Sequence, residues 1–439
     1  MPGKFPTIGF ETEFFTIDER GNLVNKVDEI TELLKDKKRI SSHIQEEIFH
    51  SMLEVGAYPG RSMKEVWLRY LKNLRQIIDV GEENGIKLLP LSMYPGKSKP
   101  LMRKRRWYAA QSMFLGKQKF SKAIRICAFH SHYSLPKGVI GKQTRQIRSL
   151  RYSRAKNIFL NQYNFLVAAD PACITFCQSS PFTEGEHFAK DSRTMLYRDM
   201  ALEENGRRTY GLYVEHPLFG GLPNYEYTLA DLRNMAAKRK RKFIEMMNSK
   251  GLKIPPKLQS ASDLKFTWGS IRVNKVGTIE YRGTDMNHPS YLLATSYLVK
   301  LALDAIKSQN LQMLPSDIGL KNPFRREGDT VYLPPFYKIK RVEKLSTIRG
   351  LESKRVQNYC SALFNFVVRN TKKTNMEKLL PISRMLQEKK TVSDEILKFV
   401  KKKGYTPDSV PNAILKGVAL EHSERLSKDV DQTIKMLSR

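Results

Sequence analysis

Glu280 and Arg282 stand two residues apart in Thr278-Ile279-Glu280-Tyr281-Arg282-Gly283-Thr284-Asp285. The period of two predicts a strand with Thr278, Glu280, Arg282 and Thr284 on one face and Ile279 and Tyr281 on the other. A carboxylate and a guanidinium so placed are costly to bury unpaired. They suit a site for metal ions and phosphate: a hard cation takes oxygen ligands, and the planar fork of arginine matches phosphate. An exposed strand face carrying Glu and Arg is the commoner source of this pattern. The other end of the chain shifts the balance. Over residues 7–17 alternation puts Gly9, Glu11 and Glu13 on one face, and Ile8, Phe10, Thr12 and Phe14 on the other. Neighbouring carboxylates repel unless a cation lies between them. The apolar opposite face, with Phe15 beyond, argues for burial rather than an edge open to water.

Further candidates follow the same logic. In the stretch around Met52-Leu53-Glu54-Val55, Leu53, Val55 and Ala57 point one way and Glu54 the other. Glu47 lies seven residues earlier, a spacing that shares a face on a helix but not on an unbroken strand. Its partnership with Glu54 requires a bend or bulge; plain solvent-facing acids compete as the reading of Glu46 and Glu47. His130 and His132 share a face with Ile126 and Ala128 in a strand over 124–133, as ligands, phosphate contacts or hydrogen-bonded core histidines. The turn from Cys177 to Gly185 offers small residues and hydroxyls, Ser179 among them. Arg193 just beyond is a candidate for holding a carboxylate. For both stretches an ordinary surface loop is the plainer reading. Asn274–Gly277 turns a strand over 266–273 into the Glu280 strand, so Arg272 and Arg282 lie on neighbouring strands and converge on one anion.

Composition bounds the rest. The 439 residues are 41% hydrophobic with 21 Phe and 19 Tyr, enough for a large core and unlike a disordered chain. No apolar run approaches the ~18 residues of a membrane span, and no signal peptide is evident, so a soluble cytoplasmic protein is expected. Lys plus Arg outnumber Asp plus Glu by 76 to 44, giving +32. Such charge raises nucleic acid as a partner. The basic clusters at 103–106, 238–242 and 401–403 are short, however, and no zinc-finger, homeodomain or RNP signature accompanies them; solvated helix faces and a general attraction for anionic substrates suffice. Cys127, Cys173, Cys177 and Cys360 make no Cys-x-x-Cys pair, so reduced, buried thiols are expected. There is no P-loop, dinucleotide fingerprint or nucleophile elbow.

Elements that would position the candidates include a helix over 26–38 and a second opened by the capping box Ser62-Met63-Lys64-Glu65 and ended by Asn84-Gly85. A basic loop is expected over 95–120 and a helix over 143–169, stopped by Asp170-Pro171. A basic helix follows around 235–247, and an apolar one over 291–308 capped by Pro289-Ser290. A proline-bearing loop is expected over 314–335, and periodicity predicts mostly helix for the final ~95 residues.

Taken in order, five motifs resemble the glutamate–cysteine ligase superfamily, in particular its bacterial carboxylate–amine ligase branch. They are Gly9-Phe10-Glu11-Thr12-Glu13, Met52-Leu53-Glu54, Phe129-His130-Ser131-His132, Ser179-Ser180-Pro181-Phe182-Thr183-Glu184-Gly185, and Gly277-Thr278-Ile279-Glu280-Tyr281-Arg282 with Asp285 and Pro289. The resemblance covers residues 7–306 or so. It implies an α+β, glutamine-synthetase-like fold: a curved, largely antiparallel sheet with a concave active-site face, helices packed outside and a helical C-terminal region. Residues 1–310 would be the catalytic domain and 311–439 the helical region packed on it. It implies ATP- and Mg²⁺-dependent joining of an amino-acid carboxylate, the glutamate γ-carboxyl above all, to an amine such as cysteine through an acyl phosphate. By the same motifs Glu11, Glu13, Glu54 and Glu280, with Glu47 and His130, would be magnesium ligands. Arg272 and Arg282 would contact nucleotide phosphates, and Ser179 and Arg193 the amino-acid substrate. Departures from the branch pattern at Ser131-His132-Tyr133-Ser134, Gln178 and Thr183 leave the fold expected and the substrate pair open. Two other readings stand beside the ligase: a degenerate member that binds nucleic acid or an acidic partner, and a guanidino kinase on the same fold.

Overall fold

Alternation in the N-terminal segment builds β1 (Ile8–Ile17), which lies inside a seven-stranded sheet. The computed structural model describes residues 7–141, 143–149, 153–204, 207–254, 256–371 and 373–439. The other strands are β2 (Ile44–Glu46), β3 (Met52–Gly56), β4 (Lys87–Leu89), β5 (Ala128–Ser134), β6 (Ile271–Asn274) and β7 (Thr278–Asp285). Their order is β6-β7-β5-β1-β3-β2, with β4 on the far end of β1, and every pairing is antiparallel. The sequence ends are thus joined: β7, near residue 280, pairs with β5, which pairs with β1. Register sets Glu11 opposite His130, Glu13 opposite Glu54, His132 opposite Glu280, and Glu280 opposite Arg272. Directly opposed residues point to the same side of a sheet, so all of these share one face.

The other face is apolar and covered by helices. Ile8, Phe10, Thr12 and Phe14 are buried there. Phe10 stacks on Trp67 of α1 (Met63–Glu83) with ring centroids 4.2 Å apart and meets the edge of Tyr70 at 4.8 Å. The Thr12 hydroxyl lies 2.6 Å from that of Tyr70 and donates to the Val55 carbonyl, so this buried polar side chain is satisfied. At the start of α1 the Ser62 hydroxyl accepts from the Glu65 N–H, which is half of the expected capping box. Behind β7 run α2 (Arg154–Cys177) and α3 (Pro289–Ser308); Tyr281 donates to Asp170 of α2, and Tyr133 of β5 to the Ser296 carbonyl of α3. The C-terminal region is helical as expected, through α4 (Phe336–Arg349), α5 (Lys354–Arg369), α6 (Val392–Lys402) and α7 (Asn412–Ser438). Helix α4 packs on α2 and α7 on α1.

Several boundaries differ from the sequence reading. The helix expected over 143–169 begins at Arg154 and continues through Asp170-Pro171 to Cys177; residues 150–152 lie outside the described set. Proline removes one helix hydrogen bond, but every residue from Tyr163 to Cys177 is buried, and packing holds the helix through it. The basic segment expected as a loop over 95–120 carries helices Arg106–Leu115 and Lys117–Ala123. The helix expected over 26–38 shortens to Val27–Leu33, and the strand over 266–273 to Ile271–Asn274. The proline-bearing loop over 314–335 includes most of a three-stranded sheet of Gln312–Pro315, Thr330–Leu333 and Arg325–Glu327. All four cysteines are free and buried. Among the described residues no helix is long and apolar enough to cross a membrane.

Because Phe10 joins the sheet to α1, Phe10→Ala is expected to cost about 3–5 kcal/mol of unfolding free energy. Urea denaturation followed by circular dichroism measures it; a loss under about 1 kcal/mol would show that this contact does not anchor the sheet.

Candidate active site

At the β6–β7 end of the polar face, Glu280 is fully buried and held by three neighbours. Arg272 grips both carboxylate oxygens, Nε to Oε2 at 2.7 Å and Nη2 to Oε1 at 2.8 Å. Arg282 Nη1 reaches Oε1 at 3.2 Å, and the Asn274 amide reaches Oε2 at 3.2 Å. Burial pushes this carboxyl upward, but the Arg282 and Arg272 charges win and hold it at about 2.

The β5 histidines carry the face across to β1. His130 Nδ1 is 3.5 Å from Glu11 Oε2 and its Nε2 is 3.9 Å from Glu13 Oε1. Burial first, then the Arg282 charge, lowers His130 to about 4, so the ring is neutral at neutral pH. His132 Nε2 lies 3.5 Å from Glu11 Oε1. Burial would raise the Glu11 carboxyl, but hydrogen bonding from His130 and His132 keeps it low.

Toward β3 the compensation runs out. Glu13, Glu47 and Glu54 bring one oxygen each within 4.8 Å of one another. Glu13 Oε2 accepts the Ala128 N–H at 2.7 Å. Glu47 sits just after β2, in the turn that brings the chain back as β3, which is how a seven-residue spacing places it beside Glu54. Burial, then the Glu47 charge, raises Glu13 to about 8; burial, then Glu11 and Glu47, raises Glu54 to about 10. Left alone, such a group takes up protons; three hard oxygens this close fit a divalent cation such as Mg²⁺. Glu11, His132 and Glu280 form a second set of donors within 4.8 Å of one another.

The structure therefore gathers Glu11, Glu13, Glu47, Glu54, His130, Glu280, Arg272 and Arg282 on one face. Ser179 and Arg193 hydrogen-bond to backbone at the end of this sheet. Ser179 is buried behind the sheet end, its hydroxyl donating to the Met286 carbonyl and accepting the Ser92 N–H. Arg193 donates to the backbone carbonyls of Gly283 and Arg282. Both support β7 and its continuation. Residues absent from the implied set include His132, which the motif did supply and which completes the second donor group, and Asn274 at the end of β6. Tyr108, from the segment expected as a loop, is close enough to Glu47 that burial and then this charge raise its phenol to about 12.

Residues 7–207 match glutamate-cysteine ligase family 2. The motif-based resemblance to glutamate–cysteine ligases is thereby shown. The fold is similar to that of a bifunctional glutathione synthetase from Pasteurella multocida, with a TM-score of 0.58 and 11% identity over 96% of this chain and 52% of that one. It is also similar to a glutamate–cysteine ligase from Francisella tularensis solved in complex with AMP, with a TM-score of 0.55 and 14% identity over 99% of this chain and 92% of that one. The chain spans about half the length of the Pasteurella protein. No curated protein sequence matches it. Both solved structures share the fold described above.

The raised carboxyls give a test with a definite sign. Glu13 and Glu54 bind protons more tightly folded than at their ordinary value of 4.5, so their contribution to stability is full below that value. It is lost as pH rises, by about pH 8 for Glu13 and about 10 for Glu54. Unfolding free energy without metal should fall over this window, and Mg²⁺ should offset the fall. Calorimetry in buffers of different ionisation enthalpy should find protons released as Mg²⁺ binds at pH 7. Metal binding with no proton release would remove Glu13 and Glu54 from the cation site.

Proposed function

We propose that this protein is an ATP-dependent carboxylate–amine ligase that activates an amino-acid carboxylate, the glutamate γ-carboxyl foremost, as an acyl phosphate. The observation that carries the reading is a single sheet face on which an all-oxygen donor group adjoins two guanidiniums fixed on one buried carboxylate. A free carboxylate does not form amides at useful rates because oxide is a poor leaving group. In the first step a substrate carboxylate oxygen attacks the γ-phosphorus of ATP, and the bond to the bridging oxygen breaks, releasing ADP. In the second the amine nitrogen attacks the acyl carbon; the C–N bond forms, the C–O bond to phosphate breaks, and the amine gives up a proton.

Glu13, Glu47 and Glu54 would hold one Mg²⁺, and Glu11, Glu280 and a β5 histidine another. When bound, the ions neutralise charge on the triphosphate and the transferring group. Arg272 and Arg282 keep N–H groups beyond those spent on Glu280, and these would face the phosphates. Their hold on Glu280 fixes both forks in advance, so that little reorganisation is needed as charge grows on the transferring phosphoryl. His130, held neutral, orients Glu11 without adding a positive charge of its own. No side chain needs to form a covalent intermediate.

The assay is ADP release by the full chain with Mg²⁺, ATP, glutamate and a panel of amines that includes cysteine. Amide product with stoichiometric ADP is expected for at least one pair. ADP with a guanidine and no amide would redirect the reading to a guanidino kinase, and folded protein without ADP formation would end it. Glu280→Gln should lower turnover by roughly 10³-fold or more, because it unties both arginines from their shared anchor; wild-type turnover would remove Glu280 from the site.

A further inference from the structure

The strand that carries Glu280 and Arg282 is not regular. Tyr281 faces Ser131 and Thr284 faces Phe129, so β7 takes three steps where β5 takes two. The irregularity falls on Arg282-Gly283, immediately after the carboxylate that organises the site. Two buried arginines converge on it from behind. Arg193 donates through Nη1 to the Gly283 carbonyl at 3.1 Å and through Nη2 to the Arg282 carbonyl at 3.1 Å. Arg198 donates through Nη2 to the same Gly283 carbonyl at 3.0 Å.

Arg198 is itself held on two sides. Asp170 of α2 takes it in a fork, Oδ2 to Nη1 at 2.5 Å and Oδ1 to Nη2 at 3.1 Å. Glu343 of α4 accepts from Nη1 at 2.7 Å. Glu343 also pairs with Lys340 at 2.6 Å, and Lys340 with Asp199 at 2.9 Å. Asp170 accepts in addition from Tyr281, the residue before the irregular pair. The fit to the backbone is close: a Cβ on Gly283 would lie 2.3 Å from Asp170 Oδ1 and 2.8 Å from Arg198 Nη2. Glycine is required here by approach and not by a turn.

Burying Arg198, Asp170 and Glu343 is a poor route to stability alone, since apolar packing of equal volume does as well or better. What an arginine adds is geometry. One planar fork reaches a backbone carbonyl and two carboxylates together, which a lysine point charge cannot do. We propose that Arg198 is a positioning residue for the reaction: braced by Asp170 and Glu343, it fixes the bulge at Arg282-Gly283 and thereby aims the Arg282 guanidinium at Glu280 and the phosphate beyond it. The helical C-terminal region then takes part in the site through Glu343. The inference rests on the ligase reading for the name of the reaction, and the experiment separates the two.

Full-length wild type, Arg198→Lys and Glu343→Gln are compared for ADP formation, KM for ATP and for the carboxylate substrate, thermal melting and amide hydrogen exchange along β7. Arg198→Lys, folded, should lose about 10- to 100-fold in kcat through displacement of Arg282. Its KM for ATP should rise while that for the carboxylate substrate stays put, and the Thr284 and Asp285 amides should exchange faster. A purely structural role would lower the melting temperature and leave kcat and both KM values alone, overturning the proposal. Should Arg198→Lys not fold, Glu343→Gln decides: a lower kcat with a raised KM for ATP supports the clamp, and wild-type values overturn it. Should the wild type form no ADP, the ligase reading fails, and hydrogen exchange in Glu343→Gln still judges the clamp, faster exchange at Thr284 and Asp285 supporting it and unchanged exchange refuting it.

Discussion

The sheet face collects more negative charge than its own cations balance, and the rest of the structure answers to that imbalance. At one end Glu280 has two guanidiniums and an amide, and it stays ionised though fully buried. At the other, no salt bridge to a guanidinium joins Glu13, Glu47 or Glu54 among the described residues, and two of the three are pushed toward the protonated form. A fold selected for stability alone would place apolar side chains there. Buried carboxylates whose environments drive their proton affinities apart are the mark of a site that expects an outside charge. The middle of the face grades between these limits through neutral His130 and the Glu11 carboxylate 3.5 Å from it.

Holding such a face requires stiffness behind it. The rear of β1 is locked to α1 by Phe10, Trp67 and Tyr70, and its buried Thr12 is fully hydrogen-bonded. The rear of β7 is held differently, by charge. Arg193, Arg198, Asp170 and Glu343 tie the backbone at Arg282-Gly283 to α2 and α4. Apolar packing serves where a strand must only lie flat. A directional network serves where a strand must bend at one residue and present one guanidinium.

Much of this was legible in the sequence because period-two alternation fixes faces without knowledge of neighbours. Glu11 with Glu13, and Glu280 with Arg282, were assigned to strand faces from spacing alone, and register then set those faces on the same side. Glu47 beside Glu54 demanded a bend, and the turn after β2 supplies it. What was not legible depends on tertiary contacts. Helix α2 passes through Pro171 because burial outweighs one missing hydrogen bond, a balance that no local rule contains. The 95–120 segment reads as loop from its lysines, arginines and glycines, yet forms helices that bring Tyr108 near Glu47. Ser179 and Arg193 have the chemistry of substrate contacts, and only the fold shows their backbone partners around β7.

The two halves of the face come from distant parts of the chain, and their meeting is the step on which function turns. The span that matches glutamate-cysteine ligase family 2 carries β1, β3 and β5, hence Glu11, Glu13, Glu47, Glu54 and the two histidines. Arg272, Glu280 and Arg282 lie some seventy residues beyond its end, on β6 and β7. The acid-rich half alone has charge to attract cations and no fork to receive phosphate; the later hairpin alone has the fork and a carboxylate already satisfied. The pairing of β5 with β7, with His132 opposite Glu280, is where the carboxylate-rich half and the guanidinium pair become neighbours. Because that pairing also contains the bulge, the spacing between the two surfaces is set by backbone geometry at Arg282-Gly283 rather than by any side chain on the face itself.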